Sequence, residues 1–175
     1  VPVIFRPWHE MSGAWFWWGS KQCTPEQYKA LFRLTFDAMA QAGLRNLVWS
    51  YSPNAQANDT PEHYFLFYPG DSYVDVLGID LYQYNGSAVF IEQCQNEMRI
   101  MSEYAKSHNK LYALTEAGYR NTPDAQWYSS ILVPAIKGFA PSYVLLWRNA
   151  WDKAEENFGP APDKTCADDF RKIYK

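Results

Sequence analysis

Two rhythms of apolar residues alternate along this chain. Short runs are apolar almost throughout, and between them lie longer stretches in which apolar positions return every three or four residues. The short runs read as buried strands: Val3-Ile4-Phe5, residues 46–50, 74–82, 111–115 and 142–146. The longer stretches read as helices. The first opens with Thr24-Pro25-Glu26-Gln27, where Thr24 suits the N-cap, Pro25 the first turn, and Gln27 completes a capping box. Tyr28, Leu31, Phe32, Thr35 and Met39 follow at helical spacing until Gly43 stops it. A long helix starts at Ser87 or a neighbour and runs to about His108; another runs from Thr122-Pro123-Asp124 to about Lys137. A last helix from Asp163 or Thr165 ends the chain. Residues 52–60 form a polar loop, 61–68 a short helix ended by Pro69-Gly70, and 149–162 a long loop rich in Pro and charge. Neither a fixed-period repeat nor a low-complexity tract is present.

Strand and helix in alternation predict an α/β fold, with parallel strands joined by crossover helices. Either a doubly wound open sheet or part of a (β/α)8 barrel fits. The strand exits choose between them. Glu10, Tyr51, Tyr82, Glu116 and Trp147 each follow a strand. A barrel gathers its site from many strand ends, whereas an open sheet concentrates it at one switch point. A closed TIM barrel takes eight strands and about 250 residues. This chain is therefore expected to be the C-terminal part of a barrel whose first three βα units are absent, with all of residues 1–175 in that one domain. It begins almost inside a strand, which reads as a processed or truncated start.

Composition narrows the chemistry. The net charge of −3 argues against nucleic acid as a partner. No apolar run approaches the length of a membrane span. Cys23, Cys94 and Cys166 lie far apart and form no C-x-x-C pair, so they read as buried or idle thiols. Aromatic residues make up 18% of the chain, with 8 Trp and 13 Tyr, which suits a core and a sugar-stacking surface alike.

The chemistry concentrates in residues 6–19, RPWHEMSGAWFWWG. Here Arg6, His9 and Glu10 stand beside Trp8, Trp15, Trp17 and Trp18 at the end of a strand. A carboxylic acid among flat apolar faces is what glycoside hydrolysis requires, and such chemistry uses two carboxyl groups. Glu116, after the fourth strand, is the candidate partner of Glu10. His9-Glu10 is no zinc motif, because H-E-x-x-H needs His where Gly13 stands. No phosphate-binding Gly-rich loop or G-x-S-x-G elbow appears, and neither metal nor organic cofactor is expected. The rival class is a non-catalytic carbohydrate-binding module. Such modules are usually β-sandwiches, and the long capped helices argue against one.

Two segments resemble glycoside hydrolase family 26, whose characterised members are mostly β-mannanases: RPWHEMSGAWFWWG and Ala113-Leu114-Thr115-Glu116-Ala117-Gly118. Trp8 fills a slot where that family often has Phe. The resemblance implies that Glu10 is the acid/base and Glu116 the nucleophile of a retaining enzyme, and that the chain supplies strands four to eight of a TIM barrel. It places Arg6, His9, Trp15, Tyr82 and Trp147 around the sugar, with Tyr51 as a further contact; Asp80, two residues before Tyr82, reads either as a support behind the site or as a sugar contact. Arg6 is expected to pair with Glu116. The implied substrate is β-1,4-mannan, galactomannan or glucomannan, with mixed-linkage β-glucan and β-1,3-xylan as alternatives inside the family. The implied partner is the N-terminal half of the barrel. Polymer substrates imply a secreted or periplasmic enzyme, possibly anchored at the cell surface.

Overall fold

The computed structural model describes residues 1–153 and 155–173. Five strands form one parallel sheet in sequence order: β1 (Val3–Phe5), β2 (Leu47–Tyr51), β3 (Val76–Tyr82), β4 (Leu111–Gly118) and β5 (Val144–Leu146). Helices α1 (Pro25–Gln41), α2 (Pro61–Tyr64), α3 (Ser87–His108), α4 (Val133–Ile136) and α5 (Ala167–Ile173) alternate with them. The strands curl into a half-barrel, with β1 and β5 at its edges. The edges leave Val3 and Ile4 about half exposed. By contrast, β3 is buried along nearly its whole length, as a central parallel strand should be.

Local chemistry sets the helices. The Thr24 hydroxyl accepts from the Gln27 N–H at 3.2 Å, and the Thr24 N–H donates to Gln27 Oε1 at 2.9 Å, closing the expected capping box. Tyr28 and Phe32, one turn apart, are fully buried. Phe32 packs 5.8 Å from Trp49 on β2, so α1 lies against its own crossover strand. The buried stripe Phe90, Cys94, Met98, Met101 and Ala105 seats α3 in the same way. Asn109, left-handed at φ 53°, ends that helix.

Three expectations need correction. The helix from Thr122 to Lys137 is instead a π-turn over Tyr128–Leu132 followed by one turn, α4. Val133 N–H reaches back five residues to the Tyr128 carbonyl. Pro134, lacking an N–H, cannot continue a regular ladder. The short helix of residues 61–68 stops at Tyr64 and goes on as turns. The last helix starts only at Ala167, because residues 161–167 are spent in successive tight turns. Its expected end at residues 174–175 lies outside the described residues, as does Ala154 in the preceding loop.

Strand β4 also differs. The pattern ends it at Thr115 with Glu116 outside, but it runs to Gly118 and includes Glu116. Its register against β3 shifts by one residue there: Ile79 pairs with Leu114, while Asp80 pairs with Glu116. This bulge has a functional consequence. In a regular strand Thr115 and Glu116 would face opposite sides. The extra residue turns both toward the polar centre described next.

Candidate active site

Arg6, just past β1, joins the strand ends. Its Nη1 donates to Asp80 Oδ2 at 2.8 Å and to Ser52 Oγ at 3.2 Å, and its Nη2 donates to Glu116 Oε1. The Ser52 and Thr115 hydroxyls donate to Asp80 Oδ1 at 2.8 and 2.7 Å. The Tyr82 hydroxyl donates to Glu116 Oε2 at 2.5 Å. One guanidinium thus serves two buried carboxyl groups, Asp80 and Glu116. Burial opposes the Arg6 charge, but the two carboxylates outweigh it and raise its pKa. Burial pushes the Asp80 carboxyl up; Arg6 pulls it down, and the Glu116 charge raises it again. Both Glu116 oxygens accept hydrogen bonds, the arrangement of a carboxylate rather than a neutral acid.

Glu10 is held differently. It does not come straight off a strand, as expected, but sits in the turn beyond β1, where Trp8 and Glu10 take the left-handed φ values 54° and 57°. Those values are strained for bulky residues and persist only where the surroundings enforce them. Here the Glu10 N–H donates to the Ser52 carbonyl at 2.7 Å. The Tyr28 hydroxyl holds the Trp8 carbonyl at 3.0 Å, and the Trp18 indole N–H holds that of His9 at 2.8 Å. The Glu10 carboxyl receives the Trp15 indole N–H at 2.9 Å. Its pKa is raised, first by burial and then by the Glu116 charge, against the pull of Trp15 and Arg6. His9 Nε2 lies 3.9 Å from Glu116 Oε1. Burial and Arg6 lower its pKa, so the imidazole is mostly neutral near pH 7.

The indoles of residues 6–19 divide into two groups. Trp8 anchors the turn by donating to Thr35 Oγ1 at 2.9 Å, and Trp18 stacks on Phe16 with centroids 4.3 Å apart. Trp15 instead stands 58% exposed at the cleft. Its ring lies over Gly13, where a Cβ would come within 2.4 Å of the indole. Gly13 is therefore needed to let Trp15 reach Glu10.

One cleft is lined by His9, Glu10, Trp15, Asp80, Tyr82, Glu116 and Trp147, and Arg6 lies directly beneath through its bonds to Asp80 and Glu116. Tyr51 is the exception, and its expected substrate contact is corrected here. It is fully buried, and its hydroxyl donates to the Tyr64 carbonyl at 2.7 Å, away from the cleft. Sequence reasoning missed Asn54, Tyr84, Arg120 and Phe158 on the walls. It also missed Ser52 and Thr115 beneath Asp80. Tyr84 and Ser52 could have been found, since each closely follows a strand end. Arg120 and Phe158 carry no pattern. Ligand atoms of His9, Glu10 and Asp80 lie within 4.8 Å of one another, but Arg6 already supplies the positive charge there and leaves a poor cation site.

The family model described as Glycosyl hydrolase family 26 matches residues 1–158. A mannan endo-1,4-beta-mannosidase of Bifidobacterium adolescentis is 34% identical over 85% of this chain and 16% of its own length. One of Bacillus subtilis is 34% identical over 88% of this chain and 41% of its own. Among solved structures, a GH26 beta-mannanase from Bacteroides ovatus superposes with a TM-score of 0.95 at 44% identity, over 100% of this chain and 50% of that one. The chain spans less than half the length of those two curated relatives and half of that structure.

Proposed function

This chain belongs to glycosyl hydrolase family 26, and from that premise we propose that it carries both catalytic carboxyl groups of a retaining β-1,4-mannanase. Glu116 is the nucleophile. Glu10 is the acid/base. The observation that carries the assignment is the unequal treatment of the two: Glu116 is gripped by a guanidinium and a phenol, whereas Glu10, raised in pKa, meets only an indole N–H among the described residues. A double displacement needs that division between an ionised attacker and a protonated donor.

In the first step Glu10 gives its proton to the glycosidic oxygen while Glu116 attacks the anomeric carbon, forming a glycosyl–enzyme ester. In the second, Glu10 takes a proton from water, which displaces Glu116 and leaves the original anomeric configuration. Arg6 and Tyr82 keep the attacking oxygens oriented, and Asp80, held by Ser52 and Thr115, fixes Arg6. Neutral His9, Trp15 and Trp147 face the sugar. β-Mannan is the substrate that the relatives' activity supports, and we extend it to galactomannan and glucomannan because they contain the same β-1,4-mannosidic linkage. The remaining strands of a closed barrel come from residues outside this chain, since β1 and β5 are edges here. A polymer substrate places the enzyme outside the cytoplasm.

The test uses the full-length protein on mannan, galactomannan, glucomannan, mixed-linkage β-glucan and β-1,3-xylan, with products followed by NMR. Mannan oligomers with retained anomeric configuration support the proposal. An inverted product, or activity on β-glucan with none on mannan, rejects it. Binding to mannan without turnover, unchanged by Glu10→Ala and Glu116→Ala together, identifies a non-catalytic binder.

A further inference from the structure

A second recess lies between α3 and the loop leaving β2, with Asp59, Glu92 and Glu97 among its walls. Glu97 sits on the buried face of α3 and is 1% exposed, flanked by Cys94, Met98 and Met101. Its carboxyl comes within hydrogen-bonding reach of the Asp59 carboxyl, which is also buried. Asp59 Oδ2 accepts from the Gln56 N–H at 2.7 Å, and the Asp59 carbonyl accepts from Asn96 Nδ2 at 2.8 Å. Glu97 Oε2 meets no donor among the described residues. Two cationic side chains border the recess, and neither pairs with these acids. Arg99 Nη2 donates to Asn96 Oδ1 at 2.7 Å, and Lys137 is exposed. A buried carboxylate oxygen without a partner is costly, and two acids converging on one point compound the cost.

We propose that Asp59 and Glu97 hold a hard divalent cation of the calcium class, which ties α3 to the loop leaving β2. The recess offers oxygen donors: carboxylates beside the side-chain amides of Gln56, Asn58 and Gln93, with neither His nor Cys among the described residues of its walls, although the Cys94 thiol lies buried beside Glu97. Calcium accepts six to eight such oxygens in irregular geometry, whereas zinc and copper select imidazole and thiolate. Burial, with Asp59 beside it, pushes the Glu97 carboxyl up to about 9, so without a cation Glu97 holds a proton near pH 7, and a bound cation must displace that proton. The tie matters because of what else this loop carries. Asn54 and Ala55 line the catalytic cleft, and the Ser12 hydroxyl donates to Asn54 Oδ1 at 2.7 Å, beside the turn that holds Glu10. Gln93 borders both the cleft and the recess. A cation between Asp59 and Glu97 would brace one wall of the cleft from behind.

The full-length protein, stripped with EDTA and desalted, is titrated with CaCl2 at pH 7, and with MgCl2 in parallel, while Tm and heat of binding are followed. Calcium raises Tm by several degrees with a saturable heat, and magnesium does less. Glu97→Gln and Asp59→Asn each abolish both signals while circular dichroism shows a folded protein. A wild-type Tm and heat that calcium leaves unchanged overturn the proposal in favour of a proton shared by the two acids. An undiminished response in both variants overturns it by placing the ion elsewhere. Crystals grown with CaCl2 provide a readout that does not depend on the variants folding. Anomalous density between Asp59 and Glu97 supports the site, and density elsewhere or none refutes it.

Discussion

Replacing Trp15 by Phe isolates one interaction of the proposed acid/base. The indole N–H donates to Glu10 Oε2 at 2.9 Å, a bond that favours the ionised carboxyl. Phe keeps an aromatic ring at this position but loses the N–H donor and the outer indole ring that lies over Gly13. A hydrogen bond to a charged group is worth about 1.5–3 kcal/mol. Trp15 is 58% exposed, so water replaces part of the bond, and about 1 kcal/mol is a fair remainder. At about 1.4 kcal/mol per unit, the Glu10 pKa should rise by about 0.7. The sign follows from the role. The acid must be protonated for the first step, so activity is lost as pH rises through the Glu10 pKa, and a higher pKa carries that loss to higher pH. The assay is kcat/KM against pH on a soluble mannan oligosaccharide, which reports groups of the free enzyme. Lost sugar stacking lowers the height of the profile without moving its limbs. The alkaline limb should move up by about 0.7 unit. A limb that stays in place or moves down would mean that Glu10 does not set it, or that Trp15 acts on Glu10 mainly by excluding water.

Tyr82→Phe removes the 2.5 Å bond to Glu116 Oε2 and should lower kcat by about 10–100-fold with little change in KM; an unchanged kcat would show that the phenol does not serve the nucleophile. Arg6→Met leaves Asp80 and Glu116 facing each other without their shared cation; unfolding in denaturant should show a loss of about 3–5 kcal/mol, and a loss under about 1 kcal/mol would contradict the buried-pair argument. Tyr51→Phe breaks only the bond to the Tyr64 carbonyl, so stability should fall by about 1 kcal/mol with kcat and KM unaltered, and a raised KM would return Tyr51 to the substrate.

What was legible in the sequence was local or carried by contiguous motifs. Thr24 and Gln27 lie within one helical turn, so their capping box could be read directly, and it formed as read. The five strands showed as apolar runs; the central strand β3 is apolar because it is buried on both faces, whereas β1 and β5 keep apolar residues although they stand at the edges. The expected pairing of Arg6 with Glu116 is present although the two are far apart in sequence, because both stand at strand ends that face one mouth. What stayed hidden depends on register and on contacts between loops. The bulge that turns Thr115 and Glu116 to the same side leaves no mark in the apolar pattern. Tyr51 and Ser52 are neighbours, and strand alternation sends one into the core and the other to the polar centre; nothing in the spacing says which. The π-turn before α4 follows from Pro134, which looks harmless in a helical pattern until the Val133 bond is seen to reach back five residues. Asp59 and Glu97 belong to a loop and a helix whose meeting only the folded chain reveals.

A mechanism-based label can identify the nucleophile by chemistry alone. A 2-deoxy-2-fluoro-β-mannosyl fluoride forms the glycosyl–enzyme ester and then turns over slowly, because the 2-fluorine destabilises both oxocarbenium-like transition states while the fluoride leaving group restores the first. The full-length protein is incubated with this reagent, digested with a protease and mapped by tandem mass spectrometry. The expected result is one fluoromannosyl group on the peptide containing Glu116, esterified at that carboxyl, with the Glu10 peptide unmodified. A label on Glu10 or on any other residue would contradict the assignment.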